Sequence, residues 1–179
     1  MTLSFKSISI VFFLALAIRL VNLFLFIPDD FDFRLEDQSI YVNLGLSMLE
    51  TGDFVHNTGN SYIVETERTP LYPTFLAIIW SMFDYNPWAV VIVQSVLDSI
   101  TCIIIGLTSS LIVPRAFLLG GVLTAINMNL VVSSGMLLTD SLFLLIFTLF
   151  LLFSIIYLKL GSLKFLILCC LCLFYPMLN

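Results

Sequence analysis

The stretch PLYPTFLAIIWSMF, residues 70–83, is mainly apolar but has only 14 residues. An α-helix needs about 20 apolar residues to cross a bilayer, so this stretch is too short to span one. We expect a re-entrant or interfacial helix, opened by Thr69-Pro70 because proline suits an early helical position. Whether this stretch crosses the membrane decides on which side each later loop lies.

The composition of the whole chain is that of an integral membrane protein. Of its 179 residues 60% are hydrophobic and 11% are charged, the mean hydropathy is +1.12 and the net charge is −5. Soluble domains average about 25% charged residues. We expect an all-α, polytopic membrane protein with a single transmembrane domain, 1–179. The apolar runs that predict its helices are 8–27, 88–112, 116–134, 138–158 and 165–178, the last of them cut short at the C-terminus.

The basic residues favour one topology. With 70–83 not crossing, the N-terminus is cytoplasmic, residues 28–87 form an extracytoplasmic loop, and Asp140 lies on the same face as that loop. We expect a multi-pass protein of the bacterial inner membrane, since no eukaryotic sorting signal is visible. Four of the seven basic residues then lie on the cytoplasmic side, as the positive-inside rule requires: Lys6, Arg115, Lys159 and Lys164.

The extracytoplasmic loop should contain local structure. Residues 36–50 place Ile40, Leu44 and Met48 on one side at helical spacing, which predicts a short amphipathic helix on the membrane surface. Residues 55–64 indicate a turn or small hairpin. His56 within it is expected to be exposed, and the four cysteines to be apolar packing residues rather than disulfides or ligands.

Two charged residues, Arg19 and Asp98, fall near the middle of predicted spans. An unpaired charge there costs about 2.5–3.5 kcal/mol or more. We therefore expect Arg19 and Asp98 to face the bundle interior as a structural ion pair, with Asn22 or Gln94 as further partners.

Several loop motifs occur in a characteristic order. They are Asp37-Gln-Ser-Ile-Tyr41, Gly52-Asp-Phe and Glu67-Arg-Thr-Pro-Leu-Tyr-Pro73, followed much later by Thr139-Asp140. Together they resemble the first external loop and the third-to-fourth helix junction of the GT-C glycosyltransferases, which include the protein O-mannosyltransferases and the lipid-A aminoarabinose transferases. The resemblance extends from the first helix to about residue 158.

The resemblance implies a transferase that moves a sugar, with inversion, from a polyprenyl- or dolichyl-phosphate donor. The acceptor would be a protein, glycan or lipid at the extracytoplasmic face; membrane lipids are expected neighbours and nucleic acid is not. Asp37 matches the essential acidic residue of the family and would be the base. Asp140 would be a second catalytic carboxylate that shapes the site or the acceptor's position.

The residue chemistry is compatible with that role. Arg68 suits the leaving phosphate because its planar guanidinium matches phosphate oxygens. Tyr41, Glu67 and Tyr72 are further candidates for substrate binding. No cofactor is certain; Glu67 is a weak candidate ligand for a divalent metal, as in some relatives. Simpler alternatives stay open: Asp37 or the Thr139-Asp140 pair could cap helices, and the two tyrosines could be membrane-interface anchors.

Enzymes of this family are far longer, and their later helices complete the donor pocket. We therefore expect this chain to be the N-terminal part of such an enzyme, and activity of the 179 residues alone is an open question. The alternative is a non-catalytic membrane scaffold or assembly subunit derived from such an enzyme.

Overall fold

The computed structural model describes residues 4–26, 36–57 and 62–174 as an all-α membrane protein with one small hairpin. Three of the described helices, α1, α4 and α7, are long and apolar enough to cross a membrane. The elements are α1 (Phe5–Phe26), α2 (Glu36–Glu50), β1 (Val55–Asn57), β2 (Tyr62–Val64), α3 (Leu71–Phe83), α4 (Pro87–Ile112), α5 (Phe117–Ala125), α6 (Met128–Ser133), α7 (Asp140–Leu160) and α8 (Leu163–Phe174).

The loop between α1 and α4 contains the local structure that the sequence predicts. Residues 36–50 form a helix, residues 71–83 form a short apolar helix, and β1 pairs antiparallel with β2, with His56 opposite Ile63. Residues 58–61, where the sequence predicts a turn, lie outside the described residues, as do Asp29, Asp30 and Asp32.

Helix α2 packs on α3 through a glycine. A Cβ atom at Gly45 would lie 2.9 Å from Leu76 Cβ and 3.0 Å from Trp80 Cζ3, so only glycine permits this approach. Of the side predicted to be apolar, Leu44 is buried, whereas Ile40 and Met48 are half-buried. The buried surface of α2 is therefore turned toward α3.

The prediction of a single helix over 116–134 is wrong in one respect, because the structure has two shorter helices there, α5 and α6. Asn127 ends the run: its side-chain oxygen accepts hydrogen bonds from the backbone N–H groups of Asn129 and Leu130, at 3.1 and 3.4 Å. A side chain that satisfies the first N–H groups of a new helix favours a helix start over continuation. The predicted helix 165–178 begins earlier, at Leu163, and residues 175–179 lie outside the described part of the chain.

Helix α1 runs antiparallel to α4, and two apolar clusters join them. One cluster, at the end where α1 ends and α4 begins (the loop end), includes Leu23, Val90 and Val91 together with residues of α2, α3 and α7. The other, toward the opposite end (the far end), joins Val11 to Cys102 and to α5. Between membrane helices such side chains stabilise the bundle through van der Waals packing rather than through removal from water.

A buried ion pair lies between the two clusters. Arg19 Nε is 3.7 Å from Asp98 Oδ2, and the two side chains are 1% and 3% exposed. Arg19 also donates to the Ala15 carbonyl at 3.2 Å and to Cys102 Sγ at 3.6 Å. Ser141 Oγ donates to Asp98 Oδ2 at 3.2 Å, which links α7 to the pair. The structure thus brings together the two charges that the sequence expects to meet.

The further partners expected for this pair, Asn22 and Gln94, are engaged elsewhere. Asn22 donates to the Val131 carbonyl at 3.2 Å. Gln94 accepts a hydrogen bond from the Tyr72 hydroxyl at 2.7 Å and donates to the Met136 carbonyl at 2.9 Å. Both amides therefore bind backbone carbonyl groups in the segment between α5 and α7. Helices end in this segment, so carbonyl groups there need hydrogen-bond donors from elsewhere.

The pair yields a double-mutant prediction. Arg19→Met leaves the Asp98 carboxylate buried without its counter-charge, and we expect a loss of about 3–5 kcal/mol of stability. Arg19→Met combined with Asp98→Asn should cost less than the sum of the two single changes, because neither charge is then left alone. Unfolding in detergent measures the three costs. If the free-energy costs of the two single changes simply added up in the double variant, the two side chains would not interact energetically.

Candidate functional site

The segment between β2 and α3 is organised around the carboxylate of Glu65. This side chain is only 3% exposed. Its Oε1 accepts the backbone N–H groups of Glu67 and Arg68, at 2.6 and 3.2 Å, and its Oε2 contacts His56 Nε2. Burial raises the pKa of the Glu65 carboxyl, but the Glu67 N–H and the His56 ring outweigh it, so the pKa lies below its usual 4.5.

The Arg68 guanidinium extends from this segment to α2. Its Nη2 lies 2.9 Å from Asp37 Oδ1, and its Nη1 lies 3.7 Å from Glu65 Oε2. The guanidinium carbon is 6.0 Å from the centre of the Tyr41 ring. The hydrogen bond to Asp37 raises the pKa of Arg68 above its usual value, so the group is a permanent cation. Arg68 therefore connects the hairpin segment to the first two turns of α2.

The candidate base, Asp37, lies in the first turn of α2 and is 62% exposed. Within the described part of the chain, the partner of its carboxylate is Arg68 rather than a backbone N–H at the helix start. The geometry therefore pairs two of the residues singled out from the sequence, and the helix-capping alternative for Asp37 finds no support in these contacts.

The two tyrosines form the floor of the site. The Tyr41 and Tyr72 rings meet edge to face with centroids 5.4 Å apart. Tyr72 is 1% exposed and its hydroxyl is committed to Gln94. Because the ring is buried and the hydroxyl is used, Tyr72 supports the Tyr41 ring and has almost no surface left for a substrate. An interface anchor would instead keep its hydroxyl at the water boundary.

A cavity of about 310 Å³ joins the loop to α7. It adjoins residues that are some 70 positions apart in the chain, which no local pattern could bring together. The residues around it are Tyr41, Glu67, Arg68, Thr69, Leu71, Tyr72, Thr139, Leu142 and Phe143. Its volume lies at the lower limit of ligand sites, which range over about 300–1,000 Å³.

Of the acidic candidates, Glu67 borders this cavity, whereas Asp37 and Asp140 are not among the residues that line it. The Glu67 side chain is 84% exposed, with its carboxylate 4.0 Å from Arg68 Nη1. Asp140 is the exposed first residue of α7, next to Thr139. The side chain of Thr139 makes no capping hydrogen bond, so the structure does not support the alternative in which Thr139 caps α7. Asp140 retains the favourable position of an acidic residue at a helix N-terminus.

The donor groups around Glu67 do not match a metal centre. Among the described residues, no group of three or more histidine, cysteine, aspartate or glutamate side chains is placed to hold a metal ion. The nearby carboxylate of Glu65 is already used by His56 and by two backbone N–H groups. Arg68, the charge nearest to Glu67, repels a cation, so this ligand set does not fit a divalent metal.

Two residues of this region, Glu65 and His56, were not predicted from the sequence to take part in the site. His56 is half-buried, 31% exposed, and contacts Glu65 rather than standing free in the loop as expected. Nothing local distinguishes Glu65 from the other carboxylates of this acidic loop. The only available signal was the predicted hairpin, whose pairing brings the two ends of the 55–64 segment together.

No protein-family model, curated protein or solved structure matches the chain.

The Glu65 carboxylate predicts an acid-dependent loosening of the site. A carboxylate whose folded-state pKa is below 4.5 stabilises the fold above pH 4.5, and this stabilisation is lost as the pH falls through the lowered value. Hydrogen-exchange protection of the Glu67 and Arg68 amides should therefore fall in acid. Glu65→Gln should remove most of that fall, because a glutamine does not titrate.

Glu50→Gln is the matched control, since Glu50 is exposed at the end of α2. It should leave the acid-dependent loss of protection unchanged. An equal loss of protection in acid for Glu65→Gln and for the unaltered chain would show that another group controls this segment.

Proposed function

We propose that the chain is the N-terminal part of a membrane glycosyltransferase that uses a lipid-phosphate-linked sugar as donor. The observation that supports this proposal is the cavity in which Arg68 and Tyr41, from the first loop, meet Thr139 at the start of α7. The proposed donor consists of a lipid, a phosphate and a sugar. A cation suits the phosphate, aromatic rings suit the sugar, and the neighbouring apolar helices suit the lipid.

Arg68 is assigned to the donor phosphate. Its guanidinium borders the cavity and is 22% exposed, so it is accessible to a ligand while Glu65 holds its backbone. Its strongest present partner is the single carboxylate of Asp37. A phosphate offers several charged oxygens to the same planar group and would compete with Asp37 for it. Donor binding would then release the Asp37 carboxylate.

Asp37 is assigned as the general base. An acceptor hydroxyl attacks the anomeric carbon and forms the new C–O bond, while the bond from that carbon to the phosphate oxygen breaks. The hydroxyl proton passes to the Asp37 carboxylate, and the electron pair of the broken bond leaves with the lipid phosphate, whose charge Arg68 stabilises. Asp140, exposed next to the cavity at Thr139, is assigned to positioning the acceptor.

Asp37→Asn tests the base directly. Transfer from polyprenyl-phosphate mannose and polyprenyl-phosphate aminoarabinose to a mixture of peptide and lipid acceptors should fall at least about 100-fold, as expected when a positioned base is lost. Glu36→Gln is the control, because Glu36 is the exposed neighbour of Asp37 in the same helical turn. Unchanged transfer with Asp37→Asn, or an equal loss with Glu36→Gln, would rule out Asp37 as the base.

Arg68→Ala tests donor binding without requiring turnover. Its Kd for undecaprenyl phosphate should rise at least about tenfold, equivalent to about 1.4 kcal/mol, and Arg68→Lys should give an intermediate Kd because an ammonium cannot bind two phosphate oxygens as a fork. Lys164→Ala removes a cation at the far end and should not change the Kd. A Kd insensitive to Arg68 would contradict the assignment.

The engagement of Asp37 by Arg68 also favours one alternative, a non-catalytic membrane scaffold or assembly subunit in which this ion pair is only structural. Undecaprenyl phosphate that binds without any transfer, with Asp37→Asn affecting only thermal stability, is the outcome expected for that alternative.

A further inference from the structure

A second cavity, of about 460 Å³, lies at the far end of the bundle. Its apolar walls are Leu107 and Leu111 of α4 and Leu152 and Ile156 of α7. The exposed residue Arg115, just after α4, also borders it. The two cavities share no bordering residue, and on α7 they lie at different ends of the helix, at Leu142 and Phe143 for the first and at Leu152 and Ile156 for the second. The second cavity is therefore not part of the candidate active site.

The polar rim of this cavity is cationic. Lys159 Nζ donates to the carbonyl of Leu111, which places a second positive charge against a residue of the cavity wall. Among the described residues, the Arg115 guanidinium has no carboxylate or hydrogen-bond partner. Arg115 also has a φ of 74°, a backbone conformation that favours glycine, although the residue carries a long cationic side chain.

The charges of the two ends are strongly unequal. The described carboxylates belong to the loop end or, in the case of Asp98, to the buried pair, so none of them neutralises the far end. The far end is where α1 begins, where α4 and α7 end and where α8 begins. Its cations are Lys6, Arg115, Lys159 and Lys164. Basic pockets between membrane helices bind the head groups of anionic lipids.

The geometry points to a binding site for an anionic phospholipid at this end. Its phosphate binds Arg115 and Lys159, and an acyl chain lies on the leucine and isoleucine walls between α4 and α7. The apolar walls suit an acyl chain, and the cations of Arg115 and Lys159 suit a negative head group, so a zwitterionic lipid matches the site less well. The site is independent of the proposed transferase activity, because none of its residues borders the first cavity.

Lipid exchange into nanodiscs, followed by native mass spectrometry, tests the site on the full chain. Phosphatidylglycerol should be retained at least about fivefold more than phosphatidylcholine, and Arg115→Ala should abolish most of that preference. Ile156→Trp, which fills the cavity and keeps both charges, should reduce retention of phosphatidylglycerol as well. Glycerol 1-phosphate, which has no acyl chain, should not displace the lipid at millimolar concentration.

Lys164→Ala is the matched control, since it removes a cation of the same end that does not border the cavity. It should keep the preference for phosphatidylglycerol. A preference that survives Arg115→Ala, or that Lys164→Ala reduces equally, would overturn the site in favour of general surface charge. Displacement by glycerol 1-phosphate, or full retention in a folded Ile156→Trp variant, would overturn the role assigned to the apolar walls.

Discussion

The buried ion pair of Arg19 and Asp98 is the constraint on which the arrangement of the long helices depends. Two charges in apolar surroundings are tolerated only when they meet, so α1 and α4 have little freedom to slide along each other. Ser141 extends the same constraint to α7 through its hydrogen bond to Asp98. The register of all three candidate membrane helices is thus set at one polar point, with an apolar cluster packed on either side of it.

This register has a direct consequence for the candidate site. Because Ser141 lies level with Asp98, the preceding residues of α7 reach the first loop, and Thr139 borders the same cavity as Arg68. Gln94 strengthens the connection by joining the Tyr72 hydroxyl to the Met136 carbonyl. Polar contacts therefore tie the helices together at two levels, between Ser141 and Asp98 in the middle of the bundle and between Gln94 and Tyr72 at the floor of the site.

Within the loop itself, the contacts of Glu65 and Arg68 determine which side chains are accessible to a ligand. Glu65 uses its carboxylate to hold His56 and the backbone before α3, so it is a structural acid. Arg68 is thereby presented to both Asp37 and the cavity. Glu65 thus stabilises the segment before α3, whereas Asp37 stays exposed on α2. The net charge of the loop alone does not distinguish these two roles.

The membrane class, the positions of the long helices, the short α3 and the meeting of Arg19 with Asp98 could all be predicted from the amino-acid sequence. Each of these follows from a local quantity: the length of an apolar run, or the cost of a lone charge inside one. Tertiary structure decided the break at Asn127, the partners of Asn22 and Gln94, the burial of Glu65 and the pairing of Asp37 with Arg68. A carboxylate or amide in a polar segment has many possible partners of similar energy, and only the packing of α2, α3 and α7 around it selects one.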